Sequence, residues 1–343
     1  MGEFELLAKL RERLPRDDSR VVVSSGDDAA VTVPGGATAT SVDAIVEGVH
    51  FRRDEASLET IGRKALATAL SDLAAMGAEA GEAYVVLGAP GDLADEDLLA
   101  LLDGMLELAT ATGTAIAGGD LTRAPALTLA VTVVGHAGSP GAFVTRAGAQ
   151  PGELVVLSGE IGGAAAGRLL LDHPDLAAAV PPTTAEKLRA QQLDPSPRLR
   201  TGHALAESGA QAMIDLSDGL AGDAAHVAAA SGIAIRIDAD CLPLADGVAE
   251  IASAAGLDPL RLAVSGGEDY ELLATLPTQR LDDALAGVDA AGETALTAIG
   301  EVCEGEGVEI RLPGGGRLEA AGYDHFAAPS HENPSAARER RDD

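Results

Sequence analysis

Tryptophan is absent from the chain, and aromatic residues make up only 2% of it. The core that 343 residues with 46% hydrophobic content can bury must therefore be filled mainly by Ala, Val, Leu and Ile. Cysteine is scarce as well. Cys241 and Cys303 stand far apart with no CxxC spacing, which argues against a disulfide framework and a thiolate zinc site. The seven histidines form no HExxH. Lysine occurs only at Lys9, Lys64 and Lys187, which limits any mechanism that depends on a lysine. Positive charge is short throughout: 24 Lys and Arg face 54 Asp and Glu, for a formal net charge of −30. Phosphate backbones and anionic membrane surfaces need the opposite balance, so neither nucleic acid nor membrane is an expected partner. Most of the acids read as solvated surface that serves solubility. No run reaches the roughly 18 apolar residues of a membrane span. Acidic Glu3 and Glu5 stand where a signal peptide would be basic, so the expected location is cytoplasmic.

What is present is strand–helix alternation in two halves. Apolar residues from Phe4 to Leu14 recur at helical spacing and stop at Pro15. Val21–Val23, Val31–Val33 and 37–46 read as strands separated by turn residues. A long Ala-rich helix is expected over 58–76, ended by Gly77, and another over 95–111 with Asp95 as its cap. Short strands are expected at 84–87, 115–117 and 127–134. Gly138-Ser139-Pro140-Gly141 is the best boundary, giving domains at 1–137 and 138–327 and a polar, disordered tail at 328–343. The second half repeats the alternation, with strands near 154–157, 212–214, 233–237, 270–276, 298 and 308. The pattern predicts an α/β (α+β) class with two sandwich-like domains.

Aspartates recur beside Gly or Ser at the ends of apolar runs: Gly26-Asp27-Asp28, Ser41-Val42-Asp43, Ser71-Asp72-Leu73, Gly118-Gly119-Asp120 and Asp215-Leu216-Ser217-Asp218-Gly219. Ser265-Gly266-Gly267-Glu268-Asp269-Tyr270 is a sixth such segment. Singly, each is ordinary turn chemistry. As a set they place carboxylates in apolar surroundings, where unpaired charge is expensive, in a chain with few lysines. Mg²⁺ fits such oxygen donors and is commonly shared with a nucleotide. Two like charges 4 Å apart repel by about 4 kcal/mol at an effective dielectric near 20, so aspartates approach ATP only through divalent ions. No GxxxxGK[ST] and no HRD…DFG set occurs, which excludes a P-loop enzyme and a protein kinase. Gly159 to Gly163 with Asp172 matches a dinucleotide loop only loosely, because the third glycine is misplaced.

In this order, the segments resemble the thiamine-monophosphate kinase family. Gly2-Glu3-Phe4, Gly26 to Ala30, Asp43 with Val46 to Phe51, Ser71 to Ala78, Gly118 to Arg123, Thr145 to Ala149, Pro195 to Arg198, Ile214 to Leu220, Ser265 to Leu272 and Gly322 to Phe326 carry the resemblance across almost the whole chain. It implies the two-domain fold shared with aminoimidazole ribonucleotide synthetase and a homodimer in which the N-terminal sheets pair. The implied reaction takes ATP and thiamine monophosphate to ADP and thiamine diphosphate, directly and in line, with several Mg²⁺ ions bridging the two. The resemblance gives Asp28, Asp43, Asp72, Asp120, Asp215 and Asp218 as metal carboxylates, with Ser41 and the backbone of Val42 adding oxygens. The family usually carries Thr where this chain has Val42, so only a carbonyl remains there. Gly119, Asp120, Arg146 and Ser217 resemble nucleotide contacts; His50, Glu268 and Tyr323 resemble substrate contacts. Asp43, Asp72, Asp120, Arg146 and Asp218 are the expected catalytic set. Selenophosphate synthetases carry an N-terminal Cys or selenocysteine, whereas the first Cys here is Cys241. A calcium buffer would need an EF-hand loop, and none occurs.

Overall fold

Thr, Val and Ala in alternation build the first sheet. β1 (Val21–Val23) and β2 (Val31–Thr32) form a small ribbon, followed by β3 (Ala37–Val46), α1 (Leu58–Ala75), β4 (Glu79–Ala89), α2 (Asp95–Thr112), β5 (Ala115–Arg123) and β6 (Thr128–Ala137). The computed structural model describes residues 9–10, 12–14, 20–24, 29–318 and 322; the Gly2-Glu3-Phe4 start, Asp28, Tyr323 and the tail at 328–343 lie outside them. The sheet runs β3-β6-β4-β5, with β4 and β5 parallel and the other pairs antiparallel. Its period-2 pattern sends Ile45, Leu129, Val131 and Val133 against α1 and α2.

α1 is the pivot of the molecule. The Ser57 hydroxyl caps it by accepting the Thr60 N–H at 3.2 Å, and it stops at Gly77, whose φ of +64° suits a left-handed C-terminus. Thirteen of its 18 residues are buried. A helix apolar on all sides must be covered on all sides, and α1 lies between the two sheets. Small residues permit this. A β-carbon on Gly104 of α2 would stand 1.9 Å from the Glu59 carbonyl oxygen, and one on Gly202 would stand 2.0 Å from that of Ala74.

The second half contributes β7 (Leu154–Ser158), α3 (Gly163–Asp172), α4 (Pro182–Leu193), α5 (Leu199–Glu207), β8 (Ala212–Asp215), α6 (Leu220–Ser231), β9 (Ala234–Asp238), α7 (Val248–Ala254), α8 (Pro259–Ser265), β10 (Leu272–Leu276), α9 (Leu281–Ala291), β11 (Leu296–Cys303), β12 (Gly307–Arg311) and β13 (Arg317–Leu318). Its sheet runs β13-β12-β9-β11-β7-β10-β8. Val156, Met213 and Ala274 join the core that contains α1, while Val155, Leu157, Ile214 and Leu273 face a second core. A strand buried on both faces reads as an unbroken apolar run, which is what 154–157 shows.

Two local expectations are corrected. Asp95 is not the cap of α2: Ala94 holds that position, and the Asp97 carboxylate accepts the Ala94 N–H at 2.8 Å. Gly118-Gly119-Asp120 does not follow a short strand but lies inside β5, because pairing with β4 continues to Arg123. Cys241 and Cys303 are both free thiols, as expected. No described helix is long and apolar enough to cross a membrane.

Candidate active site

Consecutive residues near the end of α1 reach into both halves of the chain. Ser71 Oγ donates to Asp215 Oδ2 at 2.7 Å, and Ser41 Oγ of β3 donates to Asp72 Oδ2. Ser41 and Asp43 point to the helix-covered face of the first sheet, since their partners across to β6 are buried Val133 and Val131. Asp43 Oδ1 accepts the Ala44 N–H at 2.7 Å. Asp215, the last residue of β8, is only 4% exposed.

These carboxylates feel one another. Burial raises the Asp72 carboxyl above its ordinary range; Asp43 adds to the rise, while the Ser41 hydroxyl and Arg146 oppose it. Burial, with Asp72 adding, pushes Asp215 up to about 7. Asp223, in the first turn of α6, is pushed to about 8 by burial and then by Asp215 and Asp218; its carboxylate accepts the Asp218 N–H at 3.1 Å. Arg146 is exposed, and its charge lowers all three groups. Among the described residues it makes no ion pair, and neither do Asp43, Asp72, Asp215 or Asp218.

The loop before β10 is laced to the loop after β8. Glu268 N–H donates to the Ser217 carbonyl at 2.9 Å, Tyr270 N–H to Leu216 at 2.9 Å, and Leu216 N–H to Glu271 at 2.8 Å. Glu268 and Tyr270 have φ of 67° and 50°, the only positive values outside glycine among the described residues. Left-handed backbone at such side chains is a strained state that clusters at functional sites. The Tyr270 phenol is raised well above its usual value by burial and by Glu268, Asp43, Asp215 and Asp72, which places it amid the carboxylates. His50 ends the turn after β3, where its Nδ1 accepts the Val46 N–H at 3.1 Å.

The structure therefore gathers Ser41, Asp43, Asp72, Asp215 and Asp218, with Ser217, Arg146 and Glu268 around them. It does not bring Asp120 to them within one chain. β5 and β3 are opposite edges of the sheet. Asp120 pairs with Val86, which pairs with Ala130, which pairs with Ala44. Those residues share the face away from α1, where Val42 is 65% and Val86 46% exposed. Val42 thus turns its side chain away from Asp43 and Asp72, leaving only its backbone for the role expected of it. Among the described residues no three His, Cys, Asp or Glu side chains stand within reach of one metal ion. Gly119 stays on the helix-covered face; a β-carbon there would stand 2.0 Å from the Val85 carbonyl oxygen. Beside it an apolar cavity opens between the sheet and α2, lined in part by Leu98, Met105, Ile116 and the Gly118–Asp120 segment.

The motifs contained Ser71 and Tyr270 without giving either a role, and they pointed to neither Asp223 nor Gln192. Lys64 did leave a signal, as one of three lysines and the only one within an Ala-rich apolar helix.

Residues 26–137 match the AIR synthase related protein, N-terminal domain, and residues 150–313 match the AIR synthase related protein, C-terminal domain. Two such domains, sharing the buried helix that carries Ser71 and Asp72, define an AIR synthase-related protein. A thiamine-monophosphate kinase of Escherichia coli (strain K12) is 37% identical over 339 residues, covering 96% of this chain and 99% of its own. One from Mycobacterium tuberculosis (strain ATCC 25618 / H37Rv) is 40% identical over 280 residues, 80% of each chain. Among solved structures, the thiamine-monophosphate kinase from Stenotrophomonas maltophilia K279a superposes with a TM-score of 0.80 at 36% identity, covering 90% of this chain and 96% of its own. AaThiL complexed with AMPPCP and TMP superposes at 0.75 and 31% identity, covering 95% and 97%. Within the class, the chain belongs to the thiamine-monophosphate kinase family.

Proposed function

We propose that this protein transfers the γ-phosphoryl group of ATP to thiamine monophosphate, giving ADP and thiamine diphosphate by direct in-line transfer. The observation that carries the reading is the convergence of Asp43, Asp72, Asp215 and Asp218 from both sheets at the end of α1, without a lysine or arginine ion pair among the described residues. The relative described as complexed with AMPPCP and TMP supports the same pair of ligands.

The donor set is all oxygen and short of positive charge, which fits Mg²⁺. Bound Mg²⁺ would supply the charge that lets a polyphosphate approach carboxylates. Asp43, Asp72, Asp215 and Asp218 would share several such ions, one or two carboxylates to each, with Ser41 and the Val42 carbonyl adding oxygens and Asp28 completing the family's set. The acceptor is a phosphate oxygen that is already ionised, so no strong general base is required; positioning and charge neutralisation provide most of the rate. Arg146, whose guanidinium is exposed beside the aspartates, contacts the nucleotide phosphates with Ser217. The apolar cavity beside Gly119 suits a flat base. His50, Glu268 and Tyr323 contact thiamine monophosphate.

The face of the first sheet away from α1 carries Val42, Ala44, Val86, Ala130 and Val134, and among the described residues Val42 and Val86 stay exposed there. An apolar face of this kind needs a cover, and we assign it to a second copy, sheet against sheet. Asp120 then serves a site with Asp43 only across the two copies, because within one chain they occupy opposite edges and opposite faces.

Incubating the purified protein with ATP, Mg²⁺ and thiamine monophosphate, and separating thiamine phosphates chromatographically, tests the reading. Thiamine diphosphate is the expected product. Turnover of an aminoimidazole ribonucleotide-type substrate with no diphosphate formed would remove the assignment.

A further inference from the structure

Lys64 lies on α1 with its side chain 1% exposed. Its ammonium donates to the Gln192 carbonyl at 2.9 Å and the His50 carbonyl at 3.4 Å, and pairs with Glu268 Oε1 at 3.1 Å. The second oxygen of Glu268 accepts from Gln192 Nε2. Three donors of one ammonium thus reach three separate segments: the turn after β3, the end of α4 and the loop before β10. Two of those segments hold His50 and Glu268, the residues assigned to the substrate.

A buried ion pair is poor evidence for stability, because apolar residues of similar size serve as well or better. Position is the better reason for this one. Glu268 sits at φ 67°, and its carboxylate is gripped at both oxygens by groups of α1 and α4. The pair also sets the charge presented to the ligand. With Lys64 alongside, Glu268 offers no net counter-charge to a cationic ring. What it retains is lone pairs that accept hydrogen bonds from a neutral amino group.

We propose that Lys64 is a positioning residue for substrate selection, acting through Glu268 to make its carboxylate a fixed acceptor for the exocyclic amino group of an aminopyrimidine. The inference rests on the reading of thiamine monophosphate as substrate. Lys64 and Gln192 orient the acceptor; Glu268 touches the ligand.

The test compares Lys64→Met, Gln192→Met, Glu268→Gln and the double variant Lys64→Met/Glu268→Gln in the full chain. KM and kcat are measured for thiamine monophosphate, for its 4-oxo analogue that lacks the amino group, and for ATP. Lys64→Met is expected to raise KM for thiamine monophosphate by roughly tenfold or more, the scale of one charge-assisted hydrogen bond, with kcat and the KM for ATP nearly unchanged. Preference over the 4-oxo analogue should fall by a similar factor. Gln192→Met should shift both quantities in the same direction, and it carries the test if Lys64→Met does not fold. The double variant should be no worse than Glu268→Gln alone. An unchanged preference between the two substrates in the folded variants overturns the proposal, as does an equal rise in the KM for ATP. If the unmodified protein turns over neither thiamine compound, the functional reading fails and this inference with it; normal turnover with unmoved variants defeats the inference alone.

Discussion

Ser71 on α1 donates to Asp215 at the end of β8 across 2.7 Å, inside a region where both side chains are buried. The next residue, Asp72, is held by Ser41 from the opposite sheet. One turn of one helix therefore fixes carboxylates that belong to two halves of the chain. Since α1 is enclosed by both halves, these two hydrogen bonds tie the halves together at the site itself.

Substitutions at these neighbours should separate structure from chemistry. Ser71→Ala leaves a buried carboxylate without its donor and is expected to cost about 1–3 kcal/mol of stability, read by chemical denaturation followed by circular dichroism. Asp72→Asn keeps the shape and can keep the Ser41 contact, so the fold should remain. Its turnover should fall by roughly two to three orders of magnitude, the scale of removing one preorganised electrostatic group. Near-normal turnover in Asp72→Asn would take Asp72 out of the metal site.

Stability should depend on pH in an unusual direction when divalent ions are chelated. Burial pushes Asp215 and Asp269 to about 7 and Asp223 to about 8, against about 3.9 in an unfolded chain. Between those limits the folded protein binds more protons than the unfolded one, so stability falls as pH rises. The contribution is complete below about pH 4 and lost above about pH 8 for these groups. The melting temperature in EDTA should therefore drop from pH 6 to pH 8.5. Added Mg²⁺ should weaken the dependence by the part due to Asp215, because at that carboxylate an ion takes the place of the proton. Melting followed by circular dichroism suits a chain without tryptophan; a melting temperature that rises across this range contradicts the assignment.

The close approach of α5 to α1 gives a third expectation. Gly202→Ala would put a methyl 2.0 Å from the Ala74 carbonyl oxygen. Backbone cannot yield there without moving α1, so a loss of about 1–3 kcal/mol or more is expected. Because Ala74 lies two residues beyond Asp72, turnover should fall too, in proportion greater than the fraction unfolded. A Gly202→Ala protein as stable and active as the original would show that α5 shifts freely.

Much of this was readable from residue order. The strand at 37–46 and the helix from Leu58 were legible because alternation and helical spacing persist over ten or more residues, bounded by Pro-Gly-Gly and Gly77. β5 was underestimated because Gly118 and Gly119 lack strand propensity, while pairing with β4 carries the strand through them. The short helices α7 and α8 left no clear period in seven residues each. Local patterns identified aspartates as a set but could not say which share a face. Asp43 and Asp120 differ in that respect only through the strand order β3-β6-β4-β5, and strand order is a long-range property.

That difference makes the last prediction the most decisive for assembly. Asp43→Asn and Asp120→Asn proteins should each be inactive. If each site draws Asp43 from one copy and Asp120 from another, mixing equal amounts after mild dissociation makes half of the dimers heterodimers. Each heterodimer then has one intact site of two, so about a quarter of the original activity should return. The same mixture should sediment as a dimer. If Asp43 and Asp120 act within one chain, every site in the mixture carries a lesion and no activity returns, whatever the oligomeric state. A monomer of full activity would remove the second copy from the site altogether and leave Asp120 without a role beside Asp43.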